Sequence, residues 1–172
     1  MEKNQSLFAG AWSWIKTLTV AILLILIVRT YILTPYKVDG LSMEPTLHHQ
    51  ERILVTPSIG DAAFSRGEIV VIKGNGYERY VKRVIGLPGD KVEVKEDELY
   101  INDEKWKEAY LNETGTGDLS PILVPEQSYF VMGDNRMVSM DSRNGLGFIH
   151  EDRIIGKGKV VFYPFRNMRV IQ

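Results

Sequence analysis

The sequence predicts a mainly β domain carried on a single N-terminal helical membrane anchor. Two observations lead there. One aliphatic run, Leu18 to Val28, has no polar face, and beyond it no amphipathic helical pattern longer than a few turns stands out. From Tyr36 onward, short β-type runs alternate with turn dipeptides.

The run reads LTVAILLILIV, is flanked by Lys16 and Arg29, and continues through Tyr31, Ile32 and Leu33. It is shorter than the roughly 20 residues that cross a bilayer. Snorkelling of Lys16 and Arg29 extends it, and Trp12, Trp14, Tyr31 and Tyr36 stand where interfacial aromatics belong. A buried core helix would need a polar face to give to solvent, and this run has none. The following RTYILTPY lacks a small-x-small cleavage pattern, so the segment is expected to be retained. Residues 1–35 are therefore read as tail and transmembrane anchor, and residues 36–172 as the β-rich domain. Lys3 and Lys16 are balanced by Arg29 and Lys37, so charge does not orient the span.

Within the second part, β-type runs cover Tyr36 to Val38, Arg52 to Val55, Glu68 to Lys73, Arg79 to Ile85, Lys91 to Val94, Leu99 to Ile101, Ser128 to Met132 and Ile155 to Tyr163. Gly74-Asn75, Pro88-Gly89, Asn102-Asp103 and Asn144-Gly145 mark turns between them. The stretch from Tyr110 to Pro125 reads as a long surface loop. There is no internal repeat.

Composition narrows the chemistry. Lys and Arg total 21 against 22 Asp and Glu, a net charge of -1, and no basic stripe marks a nucleic-acid interface. The absence of cysteine removes disulfides, thiolate zinc sites and a cysteine nucleophile together, leaving covalent catalysis to Ser, Thr, Lys or a carboxylate. His48 and His49 are adjacent and point in divergent directions, and His150 has no triad context, so no metal site is expected.

Three segments carry candidate chemistry. Ser42 lies in VDGLSMEPTL, bracketed by Gly40 and Pro45, where a hydroxyl can be exposed on a sharp turn. Taken alone it reads first as a turn former, and Glu44 stands where the hydrolase nucleophile elbow has glycine. Lys82 lies in YVKRVIGLPGD, with Tyr80 and Val84 on its own face of the run and Val81, Arg83 and Ile85 on the other. One of the two adjacent cations is thus expected to point into the domain. Burial would lower a lysine's ordinary pKa of roughly 10.4 and make a usable base. Alone, the pattern fits an edge-strand lysine that discourages aggregation at least as well. The third segment, GDNRMVSMDSRNGLG from Gly133, concentrates Asp134, Asn135, Arg136, Ser139, Asp141, Ser142 and Arg143 as a polar network would. Ser13-Trp14-Ile15-Lys16 matches the S-x-x-K pattern of penicillin-binding proteins, but no K-T-G or S-D-N accompanies it, so it is set aside as chance.

In this order behind an apolar segment, SMEPTL at Ser42, RGEIVVI from Arg66, YVKRVIGLPGD from Tyr80 and GDNRMVSMDSRNGLG resemble bacterial type I signal peptidases, in the short form of Gram-positive bacteria. The resemblance covers nearly the whole chain. It implies a coiled, barrel-like antiparallel β-sheet catalytic domain on the outer face of the bacterial plasma membrane, held by one transmembrane pass. It implies a cofactor-free serine endopeptidase whose partners are the phospholipid membrane and secreted preproteins with small P1 and P3 residues in their signal peptides. By the same resemblance Ser42 is the nucleophile, Lys82 the general base, Ser139 the residue that orients the lysine, and Asp141 with Arg143 a supporting pair. Val38, Met43, Leu47 and Val81 would contact P1 and P3, with substrate added as an extended strand. The Gram-negative branch often has a serine hydroxyl for the oxyanion at the position of Gly40; glycine there implies backbone donors at Gly40 and Ser42. Two alternatives stay open: a related Ser/Lys protease acting on another membrane-proximal precursor, and a tethered β module without activity.

Overall fold

The computed structural model describes residues 12, 14–26, 33–58, 64–111 and 115–171. Residues 14–26 are helical, with the aliphatic run from Leu18 forming most of the helix, and each is exposed to solvent. No helix among the described residues is long and apolar enough to cross a membrane. The rest of the expected anchor, including Ile27, Val28, Arg29 and Tyr31, lies outside the described residues. The chain divides after Thr34, and the unit Pro35–Gln172 contains all the candidate site residues.

That unit is mainly β. Its strands are β1 (Thr34–Lys37), β2 (Arg52–Pro57), β3 (Ile69–Lys73), β4 (Arg79–Gly86), β5 (Lys91–Lys95), β6 (Glu98–Ile101), β7 (Glu104–Lys105), β8 (Leu119–Leu123), β9 (Ser128–Met132), β10 (Ile149–His150), β11 (Ile154–Tyr163) and β12 (Arg169–Val170). The larger sheet runs β1-β2-β11-β3-β4-β9-β10 with β12 on β11, and the smaller runs β7-β6-β5-β8. The registers described between strands are antiparallel, as expected.

Residues 69–72 of β3 and all of β9 are buried, so the middle of the larger sheet is covered on both faces. This changes the reading of β4. The expected alternation put one of Lys82 and Arg83 inside; both are buried, at 2% and 1% exposure. On one side Val38, Met43 and Leu47 join Ile53, Val55, Ile69, Val71 and Val161 in a single apolar cluster. Ile85 and Met132 join β5 and β6 residues in another, which fixes the smaller sheet to the larger.

The segment from Tyr110 to Pro125 also differs from its expectation as a loop. Leu119–Leu123 forms β8, an edge strand on β5, with Pro121 tolerated because an edge strand has one unpaired side. Asn102 and Asp103 take φ of 54° and 68° in the turn between β6 and β7, the geometry of a two-residue hairpin. Glu96 and Asp97 do the same between β5 and β6, at 53° and 62°.

β11 passes close to β2 at Gly156, where an added Cβ would lie 2.2 Å from the Thr56 carbonyl oxygen. At Gly158 the nearest atom would be an Ile171 side-chain carbon at 3.5 Å. Gly156→Ala is therefore expected to lower stability by about 2–3 kcal/mol, since backbone must move. Gly158→Ala is expected to change it by under about 0.5 kcal/mol. Urea unfolding of the two variants checks this, and equal losses would contradict it.

Candidate active site

The turn that carries Ser42 is closed at its base and anchored from below. Val38 N–H donates to Glu51 O at 2.8 Å and Gln50 N–H to Val38 O at 3.0 Å, joining the two ends. Met43 and Leu47, 1% and 0% exposed, pin the turn to the apolar cluster, and Leu47 N–H donates to Met43 O at 2.8 Å. Gly40 has φ of +98°, which a residue with a Cβ adopts only under strain. These anchors leave Ser42 half-buried above the sheet.

Lys82 approaches from β4, paired across from Val70 of β3. Its Nζ donates to Ser42 Oγ at 2.7 Å. Burial disfavours the ammonium and brings the Lys82 pKa down to about 8, with Arg143 acting in the same direction and the carboxylates of Asp141 and Asp134 against it.

The exit of β9 holds these two residues together. Asn135 N–H donates to Ser42 O at 3.1 Å. A Cβ at Gly133 would lie 2.3 Å from both Ser42 O and Ser139 Oγ, so only glycine lets this backbone pass between them. Ser139 Oγ is buried and makes no hydrogen bond of normal geometry, although the hydroxyl lies near enough to Asp141 to favour its charged form. Asp141 is fully buried, which raises its pKa, yet its pKa is lowered on balance. Arg143 Nε and Nη2 donate to its two oxygens at 2.9 Å each, and Gly133 N–H donates at 3.0 Å.

A second buried pair lies beside the first, and the sequence reading did not identify it. Arg83 donates from Nε and Nη2 to Asp134 at 2.9 and 2.7 Å, and from Nη1 to Gly67 O at 2.7 Å. Thr46 Oγ1 donates to the same Asp134 at 2.5 Å, linking the pair to the turn that carries Ser42. Tyr110 covers the guanidinium of Arg83 with its ring centre 3.8 Å away. Arg136 donates from Nε to Gly133 O at 2.9 Å and pairs with Glu108 at 2.5 Å, both side chains buried. Asp134 and Arg136 were marked by their motif. Glu108 and Tyr110 carried no such mark, because nothing local distinguishes them from ordinary loop residues.

The remaining candidates fall into two groups. Val38, Met43 and Leu47 are core residues beneath the site, and Val81, packed against the same cluster, keeps part of its surface exposed. Gly40 N–H donates to His49 Nδ1 at 3.0 Å, whereas Ser42 N–H has no acceptor in the described hydrogen bonds. Among the described residues no cluster of His, Asp or Glu is arranged to hold a metal ion.

The site thus sets a half-buried hydroxyl against a buried amine, and comparison with known proteins gives the family of the chain that carries it. Residues 11–163 match the family described as signal peptidase, peptidase S26. The chain is 50% identical to signal peptidase I S of Bacillus subtilis (strain 168), over 97% of each chain. It is 47% identical to a signal peptidase I of Bacillus licheniformis, over 98% of this chain and 97% of the relative. The crystal structure of a signal peptidase I from Enterococcus faecalis V583 has 36% sequence identity and a TM-score of 0.51, covering 56% of this chain and 97% of its own. The chain belongs to the signal peptidase family, peptidase S26, and is an enzyme of the signal peptidase I type.

Two predictions follow from the buried charges. Arg83→Met leaves Asp134 without its partner at a fully buried position and is expected to lower stability by about 3–5 kcal/mol. Urea unfolding measures it, and a loss under about 1 kcal/mol would contradict the role given to the pair. Folded Lys82 releases its proton near pH 8 and the unfolded lysine near 10.5, so unfolding takes up a proton between these values. The penalty for the buried ammonium is therefore greatest below about pH 8 and shrinks as pH rises toward 10.5. The stability of wild type relative to Lys82→Met should rise across that window; a flat difference would contradict it.

Proposed function

We propose that this chain is a membrane-held serine endopeptidase that removes signal peptides from secreted preproteins, with Ser42 as nucleophile and Lys82 as general base. The observation that carries the reading is the 2.7 Å contact between Ser42 Oγ and the Nζ of a buried lysine whose pKa is brought down to about 8. A neutral Lys82 accepts the Ser42 proton as Oγ attacks the scissile carbonyl, then passes it to the leaving amine of the mature protein. Lys82 next takes a proton from water as the water oxygen attacks the ester carbonyl, and returns that proton to Ser42 Oγ as the bond to Oγ breaks and the signal peptide leaves with a free carboxyl end.

The oxyanion is held by backbone donors. Ser42 N–H is open to receive it, while Gly40 contributes through its positive φ, since its own N–H is engaged by His49. Ser139 orients the amine, and its buried hydroxyl, which makes no hydrogen bond of normal geometry, supports that role. Asp141 and Arg143 hold the loop that carries Ser139. Val81 forms the exposed wall of the P1 and P3 contacts, with Val38, Met43 and Leu47 behind it setting their shape and favouring small side chains. Substrate binds extended along the sheet.

Residues 1–35 serve as tail and anchor, and residues 36–172 act on the outer face of the bacterial plasma membrane. The apolar helix of residues 14–26 and the flanking tryptophans support this reading. Holding enzyme and signal sequence in one membrane raises their effective concentration.

The test uses a preprotein whose signal ends in Ala-x-Ala, with the new N-terminus identified by mass spectrometry. Wild type should cleave after the final Ala, and Ser42→Ala or Lys82→Met should reduce the rate by on the order of 10³-fold or more while remaining folded. For wild type, kcat/KM should climb with pH through about 8 and level above it, as the neutral amine becomes the main form. A folded Ser42→Ala or Lys82→Met variant that cleaves at the wild-type rate would refute the dyad and favour a tethered binding module.

A further inference from the structure

One ion pair near the site, buried at its carboxylate and partly exposed at its guanidinium, has no part in the chemistry above. Glu51, 2% exposed, follows the nucleophile turn, and Arg169 reaches it from β12 more than a hundred residues later in the chain. Arg169 Nη1 donates to Glu51 Oε1 at 2.8 Å and Nη2 to Oε2 at 2.6 Å, a two-pronged contact. Nη2 also donates to the Thr46 carbonyl oxygen at 2.6 Å. The Glu51 carboxylate further accepts His48 N–H at 3.0 Å and Asn167 Nδ2 at 3.2 Å. Burial works against the charged form of Glu51, but these donors, Arg169 first among them, leave its pKa below the usual carboxylate range.

Thr46 gives this pair its place in the reaction. Its carbonyl is held by Arg169 and its hydroxyl by Asp134, the partner of Arg83 beside Lys82. The next residue, Leu47, hydrogen-bonds back to Met43, the neighbour of Ser42. The turn between Val38 and Glu51 is thus gripped at two points, Ser42 O by Asn135 and Thr46 by Asp134 and Arg169. We propose that Arg169, together with Glu51, is a positioning residue of the peptidase reaction, holding the main chain of the nucleophile turn so that Ser42 Oγ stays in reach of Lys82. This rests on the Ser42–Lys82 reading above and extends it to a residue outside all four sequence segments that suggested the function.

A pair that only stabilised the fold would lose stability on mutation and leave the chemistry of the folded fraction unchanged. A positioning pair behaves differently, because a shift of about 1 Å between reacting groups costs on the order of 100-fold in rate. The experiment measures kcat, KM, thermal midpoint and the pH profile of kcat for the full chain with an Ala-x-Ala preprotein. The variants are Arg169→Met, Arg169→Lys, the double variant Glu51→Gln with Arg169→Met, and Ser42→Ala as control.

Arg169→Met is expected to lower kcat by about 10-fold or more with KM within about twofold, and Arg169→Lys to recover part of it. The acid limb of the kcat profile should move to higher pH, because a loosened turn lets water reach Lys82 while Asp134, Asp141 and Arg143 stay around it. Adding Glu51→Gln removes the stranded carboxylate and should restore much of the thermal midpoint without restoring kcat. Loss of thermal midpoint with kcat, KM and the pH profile of wild type would overturn the proposal, as would joint recovery of midpoint and kcat in the double variant. Failure of the underlying dyad is read separately: it appears as wild-type cleavage by Ser42→Ala, whatever Arg169→Met does.

Discussion

The organisation of the site follows from one constraint, the exclusion of water from the Lys82 amine. Moving a lysine from its ordinary 10.5 to about 8 means that the ammonium is disfavoured by about 3 kcal/mol relative to water. A carboxylate facing Nζ without a partner would undo this by stabilising the charged form. Two carboxylates do lie near, and each is engaged by its own arginine, Asp141 by Arg143 and Asp134 by Arg83. Both pairs make two hydrogen bonds, so much of their negative field is cancelled at its origin and desolvation remains the dominant influence on Lys82. The dense polar segment after β9 therefore brings its carboxylates near the lysine already paired, as well as supplying hydrogen bonds.

That arrangement demands a backbone that can thread between the groups it serves. Gly133 is the narrowest point. It meets Ser42 O on one side and Ser139 Oγ on the other, and its N–H and C=O are taken by Asp141 and Arg136. One residue thereby sets the spacing of the Ser42 turn, Ser139 and both arginine-carboxylate layers. Interiors are packed too closely for such spacing to drift, so the geometry of the Ser42–Lys82 contact is specified by residues outside the contact itself.

How much of this was legible in the sequence varied with its physical origin. Strands that pack against the core advertised themselves through β-branched and apolar runs, and β2, β3, β4, β5, β6, β9 and β11 fall where those runs lie. β8 was hidden because an edge strand needs neither continuous apolarity nor freedom from proline, and LSPIL shows little of the first and lacks the second. Periodicity misjudged Lys82 and Arg83, since alternation assumes a sheet with one wet face, and β4 has none from Lys82 to Gly86. Ser42, Lys82, Ser139, Asp141 and Arg143 stood in recognisable segments and are gathered in one site. Glu108, Tyr110 and Arg169 reach it through long-range packing that short-range spacing does not encode.

The buried lysine also bears on what kind of protein this is. A β module that merely bound preproteins would gain nothing from an amine at position 82. Replacing it there with an apolar residue of similar size would remove a desolvation penalty and add packing. The supporting features would be equally idle: a buried Ser139 hydroxyl with no normal hydrogen bond is a standing loss unless another group uses it. A glycine wedged against two polar groups and two arginine-carboxylate pairs around a single amine accumulate further penalties of the same kind. Such penalties gather where a site is built for chemistry, and here they converge on one Oγ–Nζ contact, which is why catalysis accounts for this architecture better than adhesion does.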